Sequence, residues 1–72
     1  MGVSRAVIIA DAIRQRITGG EFEPGDMLPP TRELLFEYRT TGNTIATALA
    51  YLVGEGLIYR VPFKGTWVKE RQ

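Results

Sequence analysis

Residues 41–56, with the sequence TGNTIATALAYLVGEG, constrain the fold more than any other part of the chain. Four apolar residues recur there at helical spacing: Ile45, Ala48, Leu49 and Leu52. Thr41 can cap the first turn, because its hydroxyl can accept a hydrogen bond from a free backbone N–H group. Gly56 suits the left-handed residue that follows a helix, and Leu57 suits the apolar contact beyond it. The stretch therefore predicts a capped helix with one buried side.

The opposite side of this predicted helix is small and uncharged. No Asp, Glu, Lys or Arg stands between Arg39 and Glu55, whereas the polar face of a surface helix normally carries charges. The residues that project on this side are Asn43, Ala46, Thr47, Ala50 and Gly54. The face is therefore expected either to pack against another part of the same protein or to enter the groove of a binding partner.

Length and composition limit the classes of protein that this chain can represent. With 72 residues, it is expected to form one small domain over residues 1–72. The absence of cysteine and histidine excludes disulfides and the usual zinc sites. The glycine patterns of phosphate and dinucleotide loops are also missing, so neither an enzyme nor a cofactor is expected. No apolar run reaches the length of a membrane span and no signal-peptide layout is present, which predicts a cytoplasmic protein without membrane contact.

Positive charge is concentrated at the two ends of the chain, although the net charge is only +1. Residues 1–20 carry +2, residues 21–59 carry −4 and residues 60–72 carry +3. The basic residues of the last segment are Arg60, Lys64, Lys69 and Arg71. A basic end is a weak indication of phosphate binding, since charged surfaces of small domains are usually only solvated.

The chain predicts three helices followed by a hairpin. Isoleucines four residues apart indicate a first helix over residues 4–18, which ends at two glycines. A second helix is predicted over residues 31–38, with Leu34, Leu35 and Tyr38 on its buried side. The connection to the third helix is brief, so the two helices must form a helix-turn-helix. β-Branched and aromatic runs at residues 57–61 and 66–68 flank a turn and predict the hairpin.

This order of elements is that of a winged helix-turn-helix, mainly α with a small β-hairpin. A short third strand is expected at Met27 and Leu28, which precede two prolines. Pro24-Gly25 predicts a type II turn in the loop before that strand. Two aromatic residues are assigned positions: Phe22 is expected to pin this loop to the core, and Trp67 to pack against the first helix.

Three segments of the chain resemble the GntR family of bacterial transcription regulators: LPPTREL, TALAYLVGEGLIYR and KGTWV. The similarity extends without gaps over residues 28–68, and residues 20–25 are also similar to the family. The resemblance implies a winged-helix domain that binds double-stranded DNA at the N-terminus of a regulator, here expected to be a repressor. Family members are usually dimers with a further ligand-sensing domain, which this sequence lacks. A homodimer that is weak for this chain alone is therefore expected, whether the chain is an excised domain or a minimal protein.

The family's DNA contacts carry over only where the residues match. Arg32 corresponds to the arginine of the Leu-Pro-Ser-x-Arg-Glu-Leu motif, which typically reaches DNA from the second helix. Thr41 matches the cap residue, and Thr44 matches a threonine that commonly contacts phosphate. In the wing, the resemblance extends to Gly65 and Thr66.

Three positions depart from the family's pattern. Gly42 and Ala46 stand where the family favours arginine in the recognition helix, and Phe63 stands at the wing tip, where glycine normally enters the minor groove. Because bidentate arginine is the main reader of guanine, these departures predict a half-site that leans toward A·T pairs.

The remaining uncharged residues leave two sources of base recognition on the third helix. Asn43 can bond an adenine edge, or alternatively satisfy backbone groups of its own first turn. Thr47 or Ala46 can contact a thymine methyl group. The hydroxyls of Tyr51 and Tyr59 are assigned either to phosphate or to the edge of the core.

Basic residues supply the expected phosphate contacts, which fix position without reading bases. They are Arg32, Arg39, Lys64 and Lys69. For Arg32 the alternative is a surface ion pair with a nearby glutamate. Phe63 is expected either to lie in the minor groove or to fold back on Trp67. A protein-interaction module that uses the uncharged helix face is the alternative function, since fold does not settle function.

Overall fold

The computed structural model describes residues 4–70, which form three helices and a two-stranded hairpin. In chain order, the elements are α1 (Arg5–Thr18), α2 (Thr31–Glu37), α3 (Gly42–Gly54), β1 (Ile58–Val61) and β2 (Gly65–Val68). The strands pair antiparallel, with Ile58 opposite Val68 and Val61 opposite Gly65. The predicted mainly α architecture with a small hairpin is confirmed. Residues 1–3 and 71–72 of the predicted domain, including the charge of Arg71, lie outside the described residues.

The predicted ends of α3 are confirmed by its caps. The Thr41 hydroxyl accepts a hydrogen bond from the Thr44 N–H group at 3.3 Å. Beyond the last turn, Gly56 has a φ of +78°, a conformation that glycine adopts without a Cβ penalty. Leu57 then donates its N–H to the Leu52 carbonyl at 3.1 Å, so the chain is held as it leaves the helix.

The turn between α2 and α3 is held by an arginine of α1. α2 ends at Glu37, one residue before its predicted end, and Tyr38 caps it. Arg39 follows with a φ of +53°, a backbone conformation that residues other than glycine rarely adopt. The Arg5 guanidinium donates to the Tyr38 and Arg39 carbonyls at 3.1 and 3.0 Å. A cation is favourable at this end of a helix, because the unpaired carbonyls carry partial negative charge.

The core lies around α3, against which α1, α2 and β1 all pack. Six fully buried side chains fill its centre: Ile13, Leu34, Ile45, Leu49, Leu52 and Ile58. Ala10 and Ala48 are also completely buried, and their small size permits α1 and α3 to approach closely. Leu35 of α2 and its cap residue Tyr38, both predicted on the buried side, are only partly buried against this core. The predicted anchoring of the loop is confirmed, since Phe22 also packs on the core.

The predicted third strand is a single bridge rather than a strand. Met27 bridges Trp67, and the Leu28 N–H donates to the Thr66 carbonyl at 2.8 Å. The loop before it contains the predicted turn: the Asp26 N–H donates to the Glu23 carbonyl at 2.9 Å, and Gly25 has a φ of +90°. This segment fixes β2 to the body of the domain.

The prediction that Trp67 packs against the first helix is wrong. Its ring stacks on Tyr59 across the hairpin, with centroids 6.0 Å apart and planes 18° apart. Successive side chains of a strand point to opposite faces. Since Thr66 and Val68 occupy the buried face of β2, Trp67 lies on the outer face.

Candidate nucleic-acid interface

The uncharged face of α3 is open to solvent in the part of the chain that the structure describes. Asn43, Ala46, Thr47, Ala50 and Gly54 are all exposed, while the apolar stripe beneath them is buried. Packing of this face against another part of residues 4–70 is therefore not observed. We call these five residues the reading face.

Asn43 is available to a ligand at the N-terminal end of the reading face. Its side-chain amide forms no hydrogen bond with residues 4–70, because the cap of α3 is supplied by Thr41. The Asn43 carbonyl is occupied instead, accepting from the Thr47 hydroxyl at 3.0 Å. The geometry gives no support to the alternative that Asn43 satisfies its own first turn.

Two threonines at the start of α3 bond to each other. The hydroxyls of Thr41 and Thr44 lie 3.1 Å apart, with Thr41 exposed and Thr44 half-buried. The free N–H groups of the first helical turn point in the same general direction and favour an anion. Both threonines thus lie at a position suited to phosphate.

Three cations around the wing and α2 form no ion pair within residues 4–70: Arg32, Arg60 and Lys64. The predicted alternative for Arg32, an ion pair with a glutamate, is therefore absent from this part of the chain. Arg60 and Lys64 line a groove of about 530 Å³ between the wing and the start of α2, together with Pro30 and Thr31. The predicted phosphate contacts do not include Arg60. Residues two apart on a strand share a face, so Arg60 lies on the same face of the hairpin as Ile58, the face toward the domain.

The remaining predicted contacts differ in accessibility. Arg39 and Lys69 are exposed, but Thr66 is buried with 7% of its surface accessible, so its side chain offers little to DNA. Gly65 has a φ of +152°, and a Cβ there would lie 3.0 Å from the Met27 sulfur. A glycine therefore permits the close approach of Met27 to the wing.

Phe63 stands alone at the tip of the wing. Its side chain is fully exposed, and its φ of +63° is left-handed, a conformation that costs about 1–2 kcal/mol for a residue with a Cβ. The predicted alternative, in which it folds back on Trp67, is not observed, because Trp67 stacks on Tyr59. The hydroxyl-bearing rings of Tyr51 and Tyr59 are about half exposed.

Two arginines of α1 are instead tied to carboxylates. Arg14 lies 2.8 Å from Asp11 and 2.6 Å from Glu55. The hydrogen bond from Arg14 holds the pKa of Glu55 below its usual value, and raises that of Arg14 in return. This pair joins α1 to the end of α3.

Arg16 has the larger set of partners. Its guanidinium lies 2.8 Å from Glu21, 2.8 Å from Glu37 and 2.8 Å from the Tyr38 hydroxyl. It also stands 4.9 Å from the centre of the Phe22 ring, within cation–π range. The hydrogen bond with Glu21 is the main cause of the raised pKa of Arg16 and of the lowered pKa of Glu21. Arg16 thereby connects α1, the following loop and α2.

Residues 4–70 contain no cluster of carboxylates that is arranged to hold a metal ion. No helix in that range is long and apolar enough to span a membrane. The arrangement that remains is a short turn joining α2 to α3, an open α3 and a hairpin at its side. These features define a winged helix-turn-helix, a class of DNA-binding domain.

Residues 5–68 match the model of the bacterial regulatory proteins of the gntR family, and the chain belongs to this family. The family consists of regulatory proteins rather than enzymes, as the sequence predicts. Among curated relatives, the repressor MngR of the mannosyl-D-glycerate transport/metabolism system of Escherichia coli is 39% identical over 64 residues. That match covers 89% of this chain and 27% of MngR. The chain spans less than a third of the length of the curated relatives it matches.

Two solved structures give the fold independent support. The DNA-binding domain of AraR in complex with operator ORR3 superposes with a TM-score of 0.90 at 28% identity, covering 94% of this chain and 82% of that chain. YtrA from Sulfolobus acidocaldarius, a GntR-family transcription factor, superposes with a TM-score of 0.87 at 36% identity. That match covers all of this chain, 100%, and 76% of YtrA. The predicted winged helix-turn-helix of the GntR family is confirmed.

Proposed function

We propose that this chain is the operator-binding domain of a bacterial transcription repressor, with α3 in the major groove and the wing beside the minor groove. The observation that carries the proposal is the reading face of α3, which is exposed and uncharged, while three cations of α2 and the hairpin form no ion pair within residues 4–70. The major groove of B-DNA admits an α-helix, and amide, hydroxyl and methyl groups on such a helix can contact the base edges. The AraR complex with operator DNA and the repressor activity named for MngR support this function.

Phosphate contacts supply the affinity in this proposal. Arg32 and Arg39 bind the backbone from the helix-turn-helix, and Lys64 binds it from the wing, with Arg60 in the groove behind it. Further contacts, less dependent on charge, come from the hydroxyls of Thr41 and Thr44 and from the backbone of Gly65 and Thr66. Such contacts fix the register of the protein on the duplex and carry no sequence information.

Base recognition falls to the reading face. Asn43 donates and accepts at an adenine edge, and Thr47 and Ala46 contact thymine methyl groups. Because Gly42 and Ala46 supply no guanidinium, G·C pairs beneath the helix gain little. The preferred half-site is accordingly rich in A·T pairs where α3 lies.

The test begins with a selection of bound sites from random duplex DNA by the wild-type chain. Asn43→Ala is then expected to weaken binding to the best site by about 1–3 kcal/mol, and far less on random duplex. Gln15→Ala is the matched control, since it removes an exposed amide of α1 whose side-chain partner within residues 4–70 is Asp11. Equal losses on both duplexes would mean that Asn43 reads no base.

A salt titration separates this function from its alternative. DNA binding releases counterions and must weaken steeply as salt rises, whereas an apolar protein contact does not. If the chain bound no duplex in this manner, and a protein partner protected the reading face, the interaction module would be the better account.

The proposal also covers location and assembly. A protein that binds bacterial operator DNA is cytoplasmic. We expect this chain alone to be monomeric or weakly dimeric. Its Kd for DNA should then be about micromolar or weaker, because symmetric regulators gain affinity by engaging two half-sites together. Sedimentation that finds a tight dimer at low micromolar concentration would contradict this and would point to the reading face as the interface.

A further inference from the structure

The wing tip presents an aromatic ring that no other part of residues 4–70 contacts as a stacking partner. Phe63 is fully exposed, more so than any other large apolar residue described. The other two aromatic residues of the hairpin, Tyr59 and Trp67, stack on each other farther from the tip. Phe63 therefore contributes nothing to the core, and water surrounds a side chain that normally avoids it.

The backbone at Phe63 is held in a conformation that disfavours phenylalanine. Its φ is +63°, and Pro62 precedes it while the Lys64 N–H donates to the Val61 carbonyl at 3.0 Å. Proline followed by a left-handed residue is the pattern of a type II turn, in which glycine or asparagine normally occupies the second of the two central positions, here held by Phe63. Strain of this kind is typical of residues that are held for function.

The base of the wing is fixed, so the tip has a defined position relative to α3. The Leu28 N–H donates to the Thr66 carbonyl, and the Val68 N–H donates to the Asp26 carbonyl, each at 2.8 Å. Trp67 bridges Met27 in the same region. The hairpin is thus tied to the domain along β2, and a ring at its tip is presented in a pre-organised way.

Cations adjoin this ring without ion-pair partners among the described residues. Lys64 is its neighbour in the chain, and Arg60 shares a groove with both residues. Phosphates on the two sides of a minor groove attract such cations, and an apolar side chain between them meets the sugars and the base edges.

We propose that Phe63 is an apolar wedge that inserts at a base step in the minor groove, while Lys64 and Arg60 hold the adjoining phosphates. The inference rests on the proposed DNA-binding function and deepens it, because it assigns a second specificity determinant outside α3. A wedge must partly unstack the step that it enters. The wing therefore selects flexible pyrimidine–purine steps, TA or CA, without a hydrogen bond to any base.

The experiment compares duplexes that share one selected α3 half-site and differ in one flanking step, TA or the stiffer AA, moved through each position within reach of the wing. Wild type should prefer the TA duplex by about tenfold at one position. 2-Aminopurine at that step should brighten on binding, because the base loses its stacking partner. Phe63→Gly should abolish both effects and, since glycine accepts a positive φ, should fold at least as well as wild type.

Two further variants complete the design. Phe63→Leu keeps an apolar wedge and should retain most of the step preference. Phe36→Ala removes another exposed phenylalanine, on α2 with 75% of its surface accessible, and should leave the preference and the fluorescence unchanged.

The possible failures can be told apart. If Phe63→Gly kept the TA preference and the fluorescence change, the wedge would be disproved while operator binding stood. A loss that Phe36→Ala shared equally would also disprove it, since general apolar contact would then explain the effect. If wild type bound no duplex in a salt-dependent manner, the proposed function itself would fail, and the wedge with it.

Discussion

Two arginines of α1 and three cations of α2 and the hairpin have the same charge but opposite surroundings. Arg14 and Arg16 lie within 2.6 to 2.8 Å of carboxylates. Arg32 and Lys64 form no ion pair within residues 4–70, and neither does Arg60. The contrast teaches that a cation's partners, rather than its presence, indicate its role in a small DNA-binding domain.

The distribution of acidic residues produces this contrast. Glu21, Glu37 and Glu55 come from three different parts of the chain, yet all meet α1. On α3, no acidic residue precedes Glu55, so the reading face has no carboxylate of its own. Arg14 and Arg16 join elements of the fold, whereas Arg32, Arg60 and Lys64 stay open to solvent in the part of the chain that the structure describes. Each of the following predictions tests one side of that division.

The largest effect is expected at Arg16. Arg16→Gln should lower the free energy of unfolding by about 2 kcal/mol, because it removes charge-assisted hydrogen bonds from a side chain that is 20% exposed. Urea unfolding measures the loss. Operator affinity should stay within twofold of wild type at a temperature where both proteins are folded. Weakened binding by a fully folded variant would show that Arg16 contributes to DNA binding and is not only structural.

Arg32→Ala should show the reverse pattern. Binding should weaken by about 1 kcal/mol, roughly fivefold, on operator and random duplex alike, since a phosphate contact carries no sequence information. The free energy of unfolding should hardly change, because Arg32 has no ion-pair partner among residues 4–70. Glu33→Ala, a change at the neighbouring exposed position, is the control and should not weaken binding. A preference for one sequence in the loss would assign Arg32 to base reading instead.

Lys64→Ala is expected to have a smaller effect on affinity, about threefold, and a clear one on salt dependence. Removing one phosphate contact should lower the slope of log K against log salt by about one unit. Filter binding or fluorescence anisotropy at several salt concentrations measures it. Lys69→Ala removes the same charge at an exposed lysine beyond the hairpin that is also a predicted phosphate contact, so it shows whether the change in slope is particular to the wing. An unchanged slope for Lys64→Ala would remove this residue from the interface.

Acid should lower the stability of the fold slightly, by protonating the glutamates that are paired with Arg14 and Arg16. Arg14 and Arg16 lower the pKa values of Glu55 and Glu21 in the folded chain, so each folded pKa lies below its unfolded value. Their contribution to stability is therefore complete above the ordinary glutamate pKa and is lost as the pH falls through the folded pKa values. Unfolding measured between about pH 6 and pH 3 should show this decline. The double variant Glu21→Gln, Glu55→Gln should show a shallower decline, and an identical one would contradict the pairing.

Local chemistry accounts for the features that the sequence predicts correctly. The Thr41 cap, the left-handed Gly56 and the Pro24-Gly25 turn each depend on residues adjacent in the chain, so the residue types alone indicate the geometry. The exposure of the reading face follows in the same way from the helical spacing of its apolar partners.

Long side chains and strand alternation account for what the sequence leaves open. Arg16 reaches Glu37 across 21 positions, and several other carboxylates are as near to Arg16 in the sequence. The outer position of Trp67 follows from alternation with Thr66 and Val68. The large apolar ring of a tryptophan nevertheless favours a prediction of burial, which is why the sequence assigns it to the core side. The positive φ of Arg39 cannot be predicted from its residue type, because it results from the tight path between two helices.

Gly42 has a consequence for how such a regulator can diverge. Apart from its chain neighbours and the backbone of its own helix, no heavy atom would lie within 4 Å of a Cβ added there, and Gly42 is not among the residues with positive φ. Ala46 is exposed one turn later. Either position can therefore accept a long side chain without disturbing the core, and an arginine in the groove is worth about 1–3 kcal/mol of discrimination for guanine. After gene duplication, single substitutions at these sites would let one copy acquire new target promoters while the scaffold stays unchanged.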